Sequence, residues 1–370
     1  MIMKLQRLLL PALGLCLLGI IVLRPAAPRP PGDRVVDPPR APARPFFASR
    51  PVRAATLDAA PLPAIPPPNL FQRAMKDYSG ANGVVIPKLS AGELEPFLTQ
   101  NHRSAASLLA AFHTSGEPIF LQEAWQTHPD DPRVAMTAIF QADITPEEKQ
   151  RRVDKFRETN PDNALANYLG ALQDFKAGRP AQALAQLQTA AGTRSLRDYS
   201  ADFMQSSEEA YQTAGYSQAD AATAAAIGLP QPYLPELKAL GRSIGDLAAQ
   251  YRQAGDQAAA QATLQMGLEI GQRLDSGSAT MMQDIVGLTI QRNLLAELDP
   301  TMTFGGGGQT IQNQIDLLTQ QRTALQTLAT QQVGAVSALP DDDVVHYFQR
   351  MKASGETAAL RWAVAKIGGQ

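Results

Sequence analysis

Apolar residues recur three and four positions apart through most of the chain beyond residue 69, and runs of β-branched residues are nearly absent. The pattern is plainest in Thr159–Gly192. There Leu165, Leu169, Leu172 and Phe175 fall at spacings of 4, 3 and 3, which places them on one helical face. Asn160 is positioned to cap this helix, with Pro161 at its first position, where a missing N–H costs nothing. Gly178 ends the helix and Pro180 opens a second one. Ala181, Leu184, Leu187 and Ala190 form the second stripe, closed by Gly192. Ala183 and Ala185 are small enough for close helix approach, and Gln182 and Gln186 are expected in solvent. Two such short helices cannot bury their own apolar faces, so they must stack on neighbours.

The flanking sequence supplies those neighbours. A short helix is expected over 70–78, then helices over 90–101, 104–114, 117–127 and 146–158. Ser90–Glu93 and Thr145–Glu148 have the spacing of capping boxes. Further helices are expected over 195–213, 218–227, 235–254, 256–274 and 279–298. The Gly228-Leu229-Pro230-Gln231-Pro232 breaker suggests two helical subdomains, 69–228 and 229–370. Four glycines, Gly305 to Gly308, read as a flexible surface loop, with no Gly-Lys-Ser/Thr of a P-loop after them. Gln309 to Val333 reads as one long helix, with Ile311, Ile315, Leu318, Leu325 and Leu328 on one face. A last helical pair, 341–353 and 356–367, is split by Gly355. The fold class is all-α.

Two stretches resemble the tetratricopeptide repeat, a 34-residue helix–turn–helix. In the first, Leu169-Gly170, Gly178, Ala183, Ala190 and Pro161 are similar to its conserved positions, with the turn glycine one residue further on than in the family. In the second, Ile244, Leu247-Ala248, Tyr251, Gly255, Ala260, Leu264 and Gly267 match in register. In addition, Thr127-His128-Pro129-Asp130 and Thr159-Asn160-Pro161-Asp162 share T-x-P-D 32 residues apart. The resemblance implies antiparallel helix pairs stacked as a right-handed array with a groove for a protein or peptide. It implies that ligand-facing residues lie on the first helix of each pair, which selects Asn167, Asp174 and Arg252. The family's Lys/Asn carboxylate clamp is not reproduced.

The N-terminal part reads differently. Lys4 and Arg7 precede an apolar run, Leu8 to Leu23, broken only by Pro11. Residues 1–24 therefore read as a signal anchor or transmembrane helix. Residues 25–68 hold 14 of the 28 prolines and cannot build a packed core, so a disordered tether is expected. Together these features suggest a single-pass protein of the bacterial inner membrane with its folded part in the periplasm. Secretion after signal cleavage is the alternative. The single cysteine, Cys16, lies within the apolar run, so no intramolecular disulfide can form.

The net charge of −2 conceals a division. Residues 1–53 carry nine Lys/Arg and two Asp, a balance of +7, which leaves −9 for the remainder. An acidic body argues against nucleic acid as partner, because phosphate neutralisation needs a basic face. Candidate chemistry is sparse. His102 and His113 would be about 16 Å apart on one continuous helix, too far to share a metal. Asp341-Asp342-Asp343 near His346 follows Pro340, so a helix N-terminus accounts for the carboxylates. Trp125 and Trp362 read as core anchors. No catalytic residues, metal or cofactor are assigned. The expectation is a non-enzymatic, membrane-anchored scaffold with a protein or peptide partner. The alternatives are an envelope enzyme with a site built from scattered residues, or a structural spacer.

Overall fold

The computed structural model describes residues 69–78, 85–193, 195–276, 279–304, 308–337 and 339–368. The expected anchor over 1–24 and tether over 25–68 lie outside them. Among the described residues no helix is long and apolar enough to cross a membrane.

The described chain is almost wholly helical. Its first half comprises α1 (Leu70–Tyr78), α2 (Ala91–Gln100), α3 (Ala105–Ser115), α4 (Pro118–Thr127), α5 (Pro132–Ile139), α6 (Pro146–Thr159), α7 (Ala164–Lys176) and α8 (Pro180–Gly192). The second half comprises α9 (Ser200–Thr213), α10 (Gln218–Ile227), α11 (Tyr233–Gln253), α12 (Gln257–Ser276), α13 (Met281–Leu295), α14 (Ile311–Val336), α15 (Asp341–Ser354) and α16 (Glu356–Gly368). Two residues on each side of the glycine run, Thr303–Phe304 (β1) and Gln309–Thr310 (β2), pair antiparallel.

Local chemistry explains the boundaries. Ser90 and Glu93 form a complete capping box at α2, and Thr145 accepts the Glu148 N–H at α6. One turn occurs three times. Gly178, Gly215 and Gly255 each take a left-handed φ, of +69°, +93° and +83°. In each case the next residue's N–H reaches back to the last helical turn: Arg179 to Asp174 O (2.8 Å), Tyr216 to Tyr211 O (3.1 Å) and Asp256 to Tyr251 O (2.9 Å). This is the Schellman arrangement, which satisfies terminal carbonyls while reversing the chain. It yields three packed hairpins, α7/α8, α9/α10 and α11/α12.

The T-x-P-D repeat marks a second recurrent linker. His128 and Asn160 end α4 and α6, while Asp131 and Asn163 cap α5 and α7 through side chains that accept from Arg133 N and Leu165 N. This corrects the expected start of α7. Asn160 belongs to the preceding helix end, and the cap is Asn163, three residues later. A second correction concerns 195–213. Asn163 takes the Arg197 N–H on its Oδ1 and donates Nδ2–H to Arg197 O, so 195–198 is not helical and α9 begins only at Ser200.

Two apolar clusters form. One joins α1–α4, α9 and α10 to the end of α14, α15 and α16; the other joins α5–α8, α11–α13 and the start of α14. Each draws on chain from both sides of the Gly228–Pro232 breaker. Trp125, Tyr199, Met282 and Leu325 pack against both. Within α7, every residue from Ala164 to Asp174 is buried, because α6, α8 and α11 surround it. Ala183 is fully buried as expected, but Gln186 lies across Gly170 instead of standing in solvent.

With few aromatics, close approach replaces bulk. At the α12–α13 crossing, Gly271 and Gly287 face each other. A Cβ on Gly271 would come within 2.7 Å of Gly287 O, and one on Gly287 within 2.6 Å of Gly271 O. At Gly245 in α11 the nearest atom would be 3.7 Å away, an ordinary contact. Glycine in a helix usually costs about 0.5–1 kcal/mol relative to alanine. Gly245→Ala should therefore stabilise the protein by up to that amount. Gly271→Ala should destabilise it by ~1–3 kcal/mol through overpacking. Urea unfolding of the two variants reads the opposite signs.

Candidate functional site

A cleft of about 1050 Å³ opens where the ends of several helices meet. One wall is the segment Leu196–Asp202, which leads into α9. The others are the end of α12 with Ala279, the inner face of α13 (Asp284, Leu288), the middle of α14 (Gln321, Ala324, Leu325, Leu328), and the α15–α16 corner from Met351 to Arg361.

The α9 wall is held from below. Asn163, itself fully buried, fixes Arg197 by the two bonds described above. Next to it, Asp198 Oδ2 accepts three hydrogen bonds: from Ser200 Oγ (2.5 Å), Tyr233 Oη (2.5 Å) and Gln283 Nε2. Gln283 Oε1 in turn accepts from Ala279 N (2.6 Å) and Thr280 N (2.9 Å), closing a capping box at α13. Thr280 also bonds Gln231 (2.8 Å). Burial and the Asp198 charge hold the Tyr233 phenol well above its ordinary range, so it stays a donor. Tyr199 adopts a left-handed φ of +59°, rare for an aromatic residue, and its hydroxyl accepts from Asn160 Nδ2.

The corner wall is organised around buried carboxyls. Glu356, only 9% exposed at the start of α16, accepts the Met281 N–H on Oε2 (2.8 Å), while its own N–H donates to Ala279 O (3.1 Å). Asp284, 7% exposed, accepts from Thr357 Oγ1 (3.0 Å). Burial, with a smaller contribution from the Asp284 charge, pushes Glu356 up from 4.5 to about 7 against the pull of the Met281 N–H. Desolvation also pushes Asp275 above the usual carboxylate range. Lys352 is paired with Glu208 (2.8 Å). Arg197 and Arg361 have no ion-pair partner among the described residues. The cleft thus combines apolar patches from Leu288, Leu325, Leu328 and Met351 with acidic and basic side chains, among them Asp275, Arg197 and Arg361. Among the described residues no cluster of three or more His, Cys, Asp or Glu is placed to hold a metal.

The three residues expected to face a ligand are elsewhere, and apart from one another. Asn167 is 1% exposed inside α7, with its Oδ1 unpartnered, so it is enclosed and not groove-facing. Asp174 accepts from Arg179 Nε (3.0 Å) and Nη2 (2.7 Å), a contact that reinforces the α7/α8 turn. Arg252 donates to Glu297 (2.7 Å) between α11 and the residues following α13. The expectation that the first helix of each pair lines a groove does not hold for α7, because neighbours cover it from Ala164 to Asp174. His102 sits in the turn between α2 and α3 and His113 within α3, against Phe203 (4.9 Å), so they do not share a helix. His346 is exposed, 4.0 Å from Asp343. Trp125 and Trp362 lie under cations, Arg152 (5.6 Å) for the first and Arg350 (5.0 Å) for the second.

The cleft residues escaped sequence reading because they come from helix ends far apart in the chain. Only the Thr280-x-x-Gln283 capping box and the Gly355-Glu356 corner left local signals. Comparison with protein-family models, curated proteins and solved structures returns no match.

Glu356 makes stability depend on pH in a definite direction. The native state keeps a proton that the unfolded state releases above 4.5, so stability is highest below that value. It falls as pH rises toward about 7 and then levels off. Glu356→Gln keeps the acceptor for Met281 without the charge. At pH 8 this variant should exceed the native protein in unfolding free energy by on the order of 3 kcal/mol. The difference should shrink toward zero near pH 4. Denaturant unfolding at both pH values measures it.

Proposed function

We propose that the chain is a non-enzymatic helical-repeat scaffold that binds a peptide segment of a partner protein in the cleft between α9 and α12–α16. The observation that carries this reading is the cleft itself. At about 1050 Å³ it lies at the upper end of small-molecule pockets, and it mixes apolar patches with charged side chains of both signs. A peptide offers side chains of each kind together with backbone groups for Gln321 and Thr357. The three hairpins with a common turn support the further reading of a tetratricopeptide-like, right-handed array.

The basic start and apolar run over Leu8–Leu23 support attachment to the bacterial inner membrane, with the folded part in the periplasm and the proline-rich segment as tether. An envelope enzyme is the second reading. The observation favouring it is the Asp284–Glu356 carboxyl pair beside the cleft, since shifted acids gather at catalytic sites. Against it, Glu356 is engaged by the Met281 N–H.

Site-specific photo-crosslinking in cells tests the proposal. A crosslinker at Gln321 or Ala358, both exposed in the cleft, should yield protease-sensitive adducts of defined size. The same group at Gln182, exposed on α8, should not. Arg361→Glu should reduce the cleft adducts severalfold. Equal labelling at all three positions, or none in the cleft, would contradict the proposal.

A further inference from the structure

We propose that Glu356 is a proton-operated latch that sets how firmly the α16 wall of the cleft is closed against α13. The inference rests on the cleft being a binding site and adds its regulation.

The latch is a two-way clamp between two helix starts. The Glu356 carboxyl receives the Met281 N–H at 2.8 Å, and the Glu356 N–H gives to Ala279 O at 3.1 Å. Thr357 adds a bond to Asp284 at 3.0 Å. Ala279, Asp284 and Thr357 line the cleft, so this clamp joins two of its walls. Directly before Glu356, Gly355 has φ +83° and ψ 160°, a conformation open mainly to glycine, which turns the chain from α15 into α16 at the cleft edge.

The groups around Glu356 set its response. From α13 it faces Asp284, a like charge when ionised. From α15 it faces the buried Tyr347 phenol, which its charge helps to hold well above the ordinary range, behind burial itself. Among the described residues no cation forms an ion pair with Glu356. A protonated Glu356 keeps the Met281 N–H bond without burying a charge. An ionised one faces Asp284 without a counter-charge, and reaching water requires the first turn of α16 to move away from α13. The titration near 7 places this change within the ordinary pH range of a cell envelope.

Amide hydrogen exchange on the full chain, at pH 5.5 and 8.0 and corrected for intrinsic exchange, tests the latch without any ligand. Protection at amides 281–284 and 356–360 should fall about tenfold or more at the higher pH, and by more than any change in α3, which follows global stability. Glu356→Gln should abolish that difference. Asp284→Asn, which removes the like charge, should shrink it and shift it to lower pH. Equal protection at both pH values in the native chain would overturn the proposal, as would an undiminished response in Glu356→Gln. The two readings fail separately. Loss of cleft crosslinking with the exchange response intact removes the peptide reading alone. A flat exchange profile with crosslinking intact removes the latch alone.

Discussion

Three donors converge on one carboxylate oxygen, Asp198 Oδ2, and the arrangement around the cleft depends on them. Ser200 comes from the start of α9, Tyr233 from the start of α11 and Gln283 from the first turn of α13. A half-buried carboxylate is costly unless its hydrogen-bonding capacity is filled, and here protein groups fill it. In return three helix starts are tied to one point. The left-handed Tyr199, next to Asp198, is a strained residue held by what surrounds it. Losing the Asp198 contacts would release that strain into the wall of the cleft.

Around this point the chain solves its packing with small residues. The three hairpins use one glycine turn each, so antiparallel contact follows without long loops. Where α12 meets α13, facing glycines allow backbone to touch backbone, and in α7 and α8 the alanines at the contact do similar work. A core this close offers little room for relaxation, so added methyl groups are felt as strain. The same closeness encloses α7 from Ala164 to Asp174, and the cleft opens instead beside the starts and ends of other helices.

Sequence pattern exposed much of this. The helices opened by Ser90 and Thr145, the turns at Gly178 and Gly255, the stripe on α14 and the acidic start of α15 all rest on local chemistry, and each is found in the structure. The start of α7 was misplaced because Asn160 and Asn163 are both good caps, and the choice depends on a contact with Arg197, 34 residues away. The hairpin at Gly215 carries the same Ala-Gly pair as the other two, a local signal of the same turn. Asn167 looked available because periodicity shows one apolar face and does not reveal how many neighbours a helix has. The cleft was invisible for the same reason: Asp198, Asp284, Arg361 and Glu356 meet only through tertiary packing.

The central claim is that Asp198 and Gln283 act as one unit that braces the cleft. A double-mutant cycle tests it directly, with Asp198→Ala, Gln283→Ala and the double variant compared in urea unfolding. Coupled residues deviate from additivity, and the account predicts a coupling of about 1–3 kcal/mol, the double variant losing less than the sum of the single ones. Additive losses, agreeing within about 0.5 kcal/mol, would show that the two residues act independently and would contradict the account.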